Sequence, residues 1–114
     1  MDALQVTRQN GSIHATLTGE ITLDVAGSIK AQLDSLLEQN AYEYLILDLA
    51  AVTFIDSSGI GFLVALNTRI KAAGKKMLLF RPSTQVLKTL TLVQLMHFFT
   101  IIDNEDDLTT LLPD

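Results

Sequence analysis

A turn rich in hydroxyl and carboxyl side chains is the part of this sequence best suited to chemistry. Asp56, Ser57, Ser58 and Gly59 stand in succession immediately before an apolar helical stretch. A side-chain oxygen in this turn can accept from the free backbone N–H groups of the first helical turn, and the spacing alone favours such a simple cap. The partial positive charge of a helix N-terminus also favours anions, phosphate among them. The turn is therefore a candidate both for capping and for anion binding.

Two glycines, Gly59 and Gly61, fall in the first turn or so of the same predicted helix. Each costs about 1 kcal/mol relative to alanine inside a helix, so a compensating role is expected. Because a glycine has no side chain, the backbone of another molecule, or a phosphate, could come close to this helix end. The glycines thus favour a binding role for the turn.

The sequence contains little that indicates a catalytic site or a metal site. A strand, a serine turn and a helix suggest a nucleophile elbow, but the G-x-S-x-G pattern is missing, and neither His14 nor His97 has an arguable position as the base. Both histidines are expected to be surface or structural residues. The acidic run Asp103 to Asp107 lacks the spacing and central glycine of a calcium loop, and is interpreted as the solvated start of a helix. We expect neither an enzyme nor a metal or other cofactor.

The composition narrows the class of partner. The 114 residues are 48% hydrophobic, which is enough for one core, and no linker or repeat divides them, so we predict a single domain over residues 1–114. A net charge of −5 without a Lys/Arg cluster argues against nucleic acid and favours a protein partner. The chain has no cysteine and no apolar run long enough for a membrane span, and the order of residues in MDALQVTRQNG is not the basic-then-apolar order expected of a signal peptide. A cytoplasmic protein without membrane insertion is expected.

The first half of the chain predicts a hairpin, a helix and a buried strand. Strands Leu4 to Arg8 and Ser12 to Thr18 flank Asn10-Gly11, a strong signal for a type I′ turn. The apolar stripe of the following helix is Val25, Ile29, Leu33, Leu36 and Leu37, with Thr22 or Asp24 as its cap. Tyr44 to Leu49 then reads as a central strand buried on both faces, followed by a turn from Ala50 to the serines.

The second half alternates helices and strands. The pattern predicts a helix from Ser57 to about Ala73, a strand from Lys76 to Phe80, a helix capped by Ser83, a strand from Phe98 to Ile102 and a helix from Asp103 to Leu112. The fold class is therefore α/β in the order ββαβαβαβα, with a sheet that is parallel apart from its first strand pair. Ligands of such sheets gather at the carboxyl ends of the strands, where the serine turn lies.

The helix after the serine turn is apolar over roughly half of its circumference at 100° per residue. Its polar strip is narrow and contains Thr68 and Arg69. Either the first helix covers the surplus apolar edge, which the pattern favours, or that edge is a docking surface beside Ser57.

The chain resembles STAS domains of the anti-sigma factor antagonist (anti-anti-sigma factor) type. The stretch LILDLAAVTFIDSSGIGFLVALNTRIKAAGKKMLL is similar to that family's core motif, in which a (M/I)-D-S-(S/T)-G-(L/I)-G turn joins a buried strand to an apolar helix. LTGEITLDVA resembles the L-x-G-E-L-D-x-x-x-A segment, and VLKTLTLVQLMHFFTIIDNEDD resembles the last elements. The resemblance implies the STAS fold over nearly the whole chain.

It also implies a partner-switching function in bacterial signalling. Ser57 would be phosphorylated by an anti-sigma factor that is a serine kinase, a GHKL-type ATPase, and a PP2C-type phosphatase would reset the switch. The unphosphorylated form would bind the anti-sigma factor and release its target. The residues expected at the partner contact are Thr22, Asp24, Asp56, Ser57, Ser58, Gly59, Ile60 and Gly61.

Two positions depart from the family pattern, and one alternative function stays open. Thr22 replaces the acidic residue that usually follows G-E-(L/I), with Asp24 two residues later, and Gln94 replaces a frequent glycine before the last strand. The resemblance places the segment with Thr22 near the phosphorylation turn, so this change bears on which partner and which kinase the domain recognises. The alternative is an accessory subunit that packs constitutively on a transporter ATPase or another complex, without a phosphoswitch.

Overall fold

A computed structural model describes residues 4–9, 11–39 and 42–112. These residues form elements in the predicted order ββαβαβαβα. The strands are β1 (Leu4–Gln9), β2 (Ser12–Ile21), β3 (Tyr44–Ile55), β4 (Lys76–Phe80) and β5 (Thr100–Ile102). The helices are α1 (Leu23–Leu37), α2 (Ser57–Ala72), α3 (Thr84–Leu92) and α4 (Glu105–Leu111).

The strands form one sheet in the order β1-β2-β3-β4-β5. Only the β1–β2 pair is antiparallel, as predicted, and β3 is the central strand. Gln9 pairs with Ser12 across the hairpin, and Gly11 has φ +83°, which is the left-handed region that glycine adopts without strain. Asn10, the other residue of the predicted turn, lies outside the described residues.

Strand β3 is longer than the sequence predicted, and the prediction of a turn that begins at Ala50 is wrong. Residues 50–55 continue the strand because β2 extends beside them, as far as the pair Ile21–Ile55. The β2–β3 pairing shifts register twice along this extension, and each shift adds one unpaired residue to β3. Of the six residues in this extension only Val52 and Ile55 are buried, so the segment lies at the exposed end of the strand although its backbone pairing continues. The serine turn therefore begins at Asp56.

Helices cover the two faces of the sheet unequally. Side chains from α1, α2 and α3 join alternate residues of β1 to β4, such as Leu47, in the main core. On the opposite face, Leu108 of α4 packs on Ile46, Leu78 and Phe80 in a smaller second core. The serine turn is thus held between the main core and the carboxyl edge of the sheet.

Some predicted boundaries change by two or three residues. Helix α1 begins at Leu23 with Thr22 at the N-cap position, where its side chain makes no capping hydrogen bond. β5 begins at Thr100 and not at Phe98, because a turn occupies residues 96–98. α4 begins at Glu105, because the Asn104 side chain accepts from the Asp107 N–H and starts the helix there. The acidic residues occupy its exposed first turn, as expected.

Within the described part of the chain, the helices are too short or too polar to cross a membrane.

Candidate functional site

The serine turn is fixed by the end of β3 and by a carboxylate cap. Asp56 has extended backbone angles (φ −100°, ψ −174°), and its Oδ1 accepts from the Gly59 N–H at 2.9 Å. The Asp56 N–H donates to the Ile21 carbonyl at 3.3 Å, and the Asp56 carbonyl accepts from the Ile60 N–H at 3.0 Å. Asp56 therefore closes β3 and opens α2 at the same time.

Ser57 is the first residue of α2 and is exposed. Its hydroxyl makes no hydrogen bond to any residue that the structure describes. The sequence left open whether Asp56 or Ser57 served as the cap, and the structure assigns the cap to Asp56. The Ser57 hydroxyl is consequently available at the positive end of a helix of 16 residues.

The two glycines of the turn have different explanations. A Cβ on Gly59 would lie 2.5 Å from the Ile21 carbonyl oxygen and 2.5 Å from Ile55 Cγ1, so α2 approaches the strand ends too closely for a side chain. This internal reason differs from the approach of an external group that the sequence suggested. A Cβ on Gly61 would meet nothing within 4 Å, and Gly61 is exposed. Only Gly61 leaves room outside the protein.

Ile60 is 6% exposed and belongs to the main core. It fixes α2 to the sheet directly beneath the turn. Its side chain is therefore part of the support of the turn and not of its outer surface.

The start of α1 lies beside the turn, because Ile21 pairs with Ile55 and bonds Asp56. Thr22 and Asp24 thus stand at the same edge of the sheet as Ser57, and Asp24 is exposed. Two apolar side chains at this edge escaped the sequence analysis: Leu23 is 72% exposed and Phe54 is 41% exposed. The sequence held a signal for Leu23, which is outside the predicted α1 stripe, but none for Phe54, whose exposure follows from its place near the end of the extended β3. Exposed apolar groups beside the turn suit protein contact.

A groove of about 330 Å³ runs between α1 and α2 and begins at Ser58. Four of its lining residues are apolar, namely Ala26, Phe62, Ala65 and Leu66. Helix α1 packs beside α2, as the sequence analysis favoured, but this groove leaves Phe62 half-buried and Ala65 exposed. Coverage of the apolar edge by α1 is therefore confirmed for part of that edge, and a docking role for the remainder stays a prediction.

An ion-pair cluster forms the far end of the groove. Asp34 accepts from Lys30 at 2.8 Å and also pairs with Arg69, which joins α1 to α2. The hydrogen bond from Lys30 is the main reason that the pKa of the Asp34 carboxyl lies below its usual value of 3.8. Partial burial acts in the opposite direction, and the Arg69 bond adds to the lowering.

No metal centre is formed by the residues that the structure describes, since no group of three or more His, Asp or Glu side chains has suitable geometry. His14 and His97 lie on different elements of the chain. His14 Nε2 is buried and has no hydrogen-bond partner in the described residues.

The sequence model of the STAS domain family matches residues 3–108. The chain belongs to the STAS domain family. A curated relative of this STAS domain is the anti-sigma F factor antagonist of Paenibacillus polymyxa, which is 25% identical over 102 residues. The match covers 90% of this chain and 87% of the relative.

Solved structures share the fold of this STAS domain. An anti-sigma factor antagonist from Mycobacterium paratuberculosis has a TM-score of 0.83 at 21% identity, over 97% of this chain and 93% of that chain. The Bacillus cell fate determinant SpoIIAA, in its phosphorylated form, has a TM-score of 0.74 at 21% identity, over 95% of this chain and 96% of that chain. The similarity extends through all the layers of the domain.

Proposed function

We propose that this STAS domain is an anti-sigma factor antagonist, a non-catalytic cytoplasmic regulator of transcription that is switched off by phosphorylation of Ser57. The observation that carries the proposal is that Asp56 caps α2, while the Ser57 hydroxyl is exposed and forms no hydrogen bond with the residues that the structure describes. A relative named as an anti-sigma F factor antagonist supports the same role. In its unphosphorylated form the domain binds an anti-sigma factor, and the anti-sigma factor then releases its sigma factor.

The phosphoryl donor in this proposal is ATP bound to the anti-sigma factor, which acts as a serine kinase. A bond forms between Ser57 Oγ and the γ-phosphorus while the bond to ADP breaks, and the hydroxyl proton passes to a base on the kinase. Asp56 is not that base in our account, because its Oδ1 already accepts from Gly59. A PP2C-type phosphatase hydrolyses the phosphoserine and restores binding.

In this proposal the domain stays folded when Ser57 carries a phosphate, but the anti-sigma factor no longer binds the phosphorylated form. A phosphate on Ser57 brings a charge of about −1.5 to −2 to a helix N-terminus, where free N–H groups and the helix dipole favour it. The surrounding surface is acidic, with Glu20 and Asp24 exposed at the same edge. A partner that fits this acidic edge meets extra negative charge and bulk after modification. A regulatory coupling of about 1–3 kcal/mol is within reach of such a change.

The partner surface extends beyond the turn itself. Leu23 and Phe54 supply exposed apolar area near the turn, and the lining of the groove between α1 and α2 includes Ser58. Gly61, with open space at its Cβ position, lets a partner backbone approach the first turn of α2. We propose that the anti-sigma factor contacts these features together, with Ser57 between them.

Capture from the host tests this function. Wild type, Ser57→Ala, Ser57→Asp and the control Ser58→Ala serve as baits, and captured proteins are identified and quantified by mass spectrometry. We expect wild type, Ser57→Ala and Ser58→Ala to hold an ATP-binding anti-sigma factor that Ser57→Asp loses. Equal capture of one transporter ATPase by all four baits would overturn the proposal in favour of a constitutive accessory subunit.

A further inference from the structure

A second concave surface lies at the other end of α2. Lys71, Lys75 and Lys76 line a cavity of about 270 Å³ at the α2–β4 junction, and we call it the lysine pocket. Its remaining walls are Tyr44, Met77, Leu78, Thr100 and Leu111. Lys71 follows Ser57 by 14 positions, so the pocket is about 20 Å from the serine along the helix axis. A molecule bound here does not compete for the Ser57 turn.

The charges of the lysine pocket are uncompensated within the described residues. Lys30, Arg69 and Arg81 each pair with an aspartate, whereas Lys71, Lys75 and Lys76 form no ion pair with a described carboxylate. The chain carries eight Lys and Arg residues against 13 Asp and Glu. Three neighbouring ammonium groups that form no ion pair with a described carboxylate create a local positive potential that attracts an anionic group.

Aromatic rings hold these three ammonium groups in position. Lys76 Nζ lies 6.0 Å from the centroid of the Tyr44 ring, and Lys71 Nζ lies 5.8 Å from that of Phe98. Lys75 Nζ is 5.5 Å from the centroid of Tyr42. Of these three rings, Tyr44 is itself a wall of the pocket, so its contact with Lys76 limits the side-chain freedom that this lysine loses on binding.

An open sheet edge adjoins the pocket. β5 is the last strand in the sheet order, so its outer edge has no neighbour among the described strands. Thr100, its first residue, lines the pocket, and Leu111 beside it is 43% exposed. An extended chain can pair with such an edge through its backbone while its side chains alternate between two environments.

We propose that this surface binds an extended acidic segment of a protein partner. Carboxylates of the segment pair with Lys71 and Lys76, and an apolar residue between them packs against Tyr44 and Leu111. The acidic residues 103 and 105–107 follow the other end of β5, so the favourable charge is confined to the Thr100 end. Binding to nucleic acid or to an anionic membrane requires many contacts with phosphates. Three lysines on a chain with a net charge of −5 supply too few of them.

Fluorescence anisotropy with a defined probe tests the proposal. The probe is a fluorescein-labelled synthetic peptide of alternating glutamate and valine, and the matched peptide has lysine in place of glutamate. We expect saturable binding of the acidic peptide alone, weakened about tenfold by the double variant Lys71→Glu/Lys76→Glu. The control Lys88→Glu/Arg8→Glu makes the same change of charge at two exposed residues outside the pocket and should leave the affinity within about twofold.

Several outcomes would overturn the proposal. Equal weakening by the control variant would show a general charge effect, and competition by inorganic tripolyphosphate at the affinity of the peptide would show a small-anion site. NMR spectra recorded with and without the acidic peptide report which backbone amides change their chemical shift. Changes confined to residues away from Thr100–Ile102 would exclude strand pairing. Far-UV circular dichroism of each variant verifies folding. Failure here leaves the Ser57 switch untouched, because the pocket and the serine turn occupy opposite ends of α2.

Discussion

The carboxylate of Asp56 accepts from the backbone N–H of Gly59 at 2.9 Å, and this contact removes any need for Ser57 to cap α2. Ser57, at the first helical position, is exposed, and its hydroxyl has no hydrogen-bond partner in the described part of the chain. The same contact ties the turn to Gly59, which has no space for a side chain. In the proposed function, the modified residue Ser57 and the residue that supports the turn, Asp56, are therefore neighbours in the chain.

The cap can be tested by stability. Asp56→Ala removes the acceptor for the Gly59 N–H and should lower the free energy of unfolding by about 1 kcal/mol, whereas Asp56→Asn keeps an oxygen acceptor and should lose less. Chemical denaturation measures both. Ser57→Ala is the control and should change stability by less than about 0.5 kcal/mol. A larger loss in Ser57→Ala than in Asp56→Ala would contradict the assignment of the cap.

The two glycines of the turn should respond in opposite directions. Gly59→Ala places a methyl group 2.5 Å from a backbone oxygen and from Ile55, and should destabilise the fold by about 1–3 kcal/mol. Gly61→Ala meets open space and should stabilise the helix by up to about 1 kcal/mol. Thermal unfolding compares the two. Equal effects would mean that α2 does not approach Ile21 as closely as described.

Much of the fold follows from the sequence because its signals are local. The order of elements, the start of α2 and the bounds of β4 are set by apolar periodicity and turn residues. The long end of β3 was missed because it depends on pairing with β2, more than 30 positions away in the chain. The reason for Gly59 was missed likewise, since Ile21 meets it only in the folded chain. The choice between Asp56 and Ser57 as cap depends on backbone angles that the extended β3 imposes.

Two helices end in the same way with different residues. Gly74 and Gln94 both have positive φ, +77° and +61°, and each follows the last helical turn. In both cases the next residue bonds back into the helix, Lys75 to Ile70 and Leu95 to Leu90, at 3.0 and 2.8 Å. This is the Schellman arrangement, in which glycine carries no steric penalty.

Exchanging these end residues should therefore have predictable consequences. Gln94→Gly should raise the free energy of unfolding by up to about 1 kcal/mol, because relief of the left-handed strain exceeds the added freedom of the unfolded chain. Gly74→Gln should lower it by about 1 kcal/mol. Denaturant titration measures both changes. A destabilised Gln94→Gly variant would show that the glutamine side chain has a compensating contact.

The ion-pair cluster of the groove predicts a pH dependence. Lys30 holds the pKa of Asp34 below 3.8, so the charged carboxylate stabilises the fold above that pH, and the stabilisation is lost as pH falls through the lowered value. Asp34→Asn should reduce the melting temperature slightly at neutral pH and should match wild type in strong acid. The control Asp103→Asn, at an exposed residue, should show no such convergence. A deficit in Asp34→Asn that persists in strong acid would assign the effect to packing.

Phosphorylation should alter binding and leave the fold intact. Ser57→Asp places negative charge at the N-terminus of α2, where the helix dipole favours it. Its far-UV circular dichroism should match wild type, and its melting temperature should lie within a few degrees of it. Global unfolding of Ser57→Asp would contradict the expectation that the turn accommodates the modification.

The most direct test of the central claim is native mass spectrometry of the complex with the captured anti-sigma factor, before and after addition of ATP. We predict that the complex is present without ATP, and that ATP yields free STAS domain heavier by one phosphoryl group. The Ser57→Ala protein should stay bound and unmodified under the same conditions, while Ser58→Ala behaves as wild type. Persistence of the complex with a phosphorylated domain, or phosphorylation of Ser57→Ala, would contradict the account.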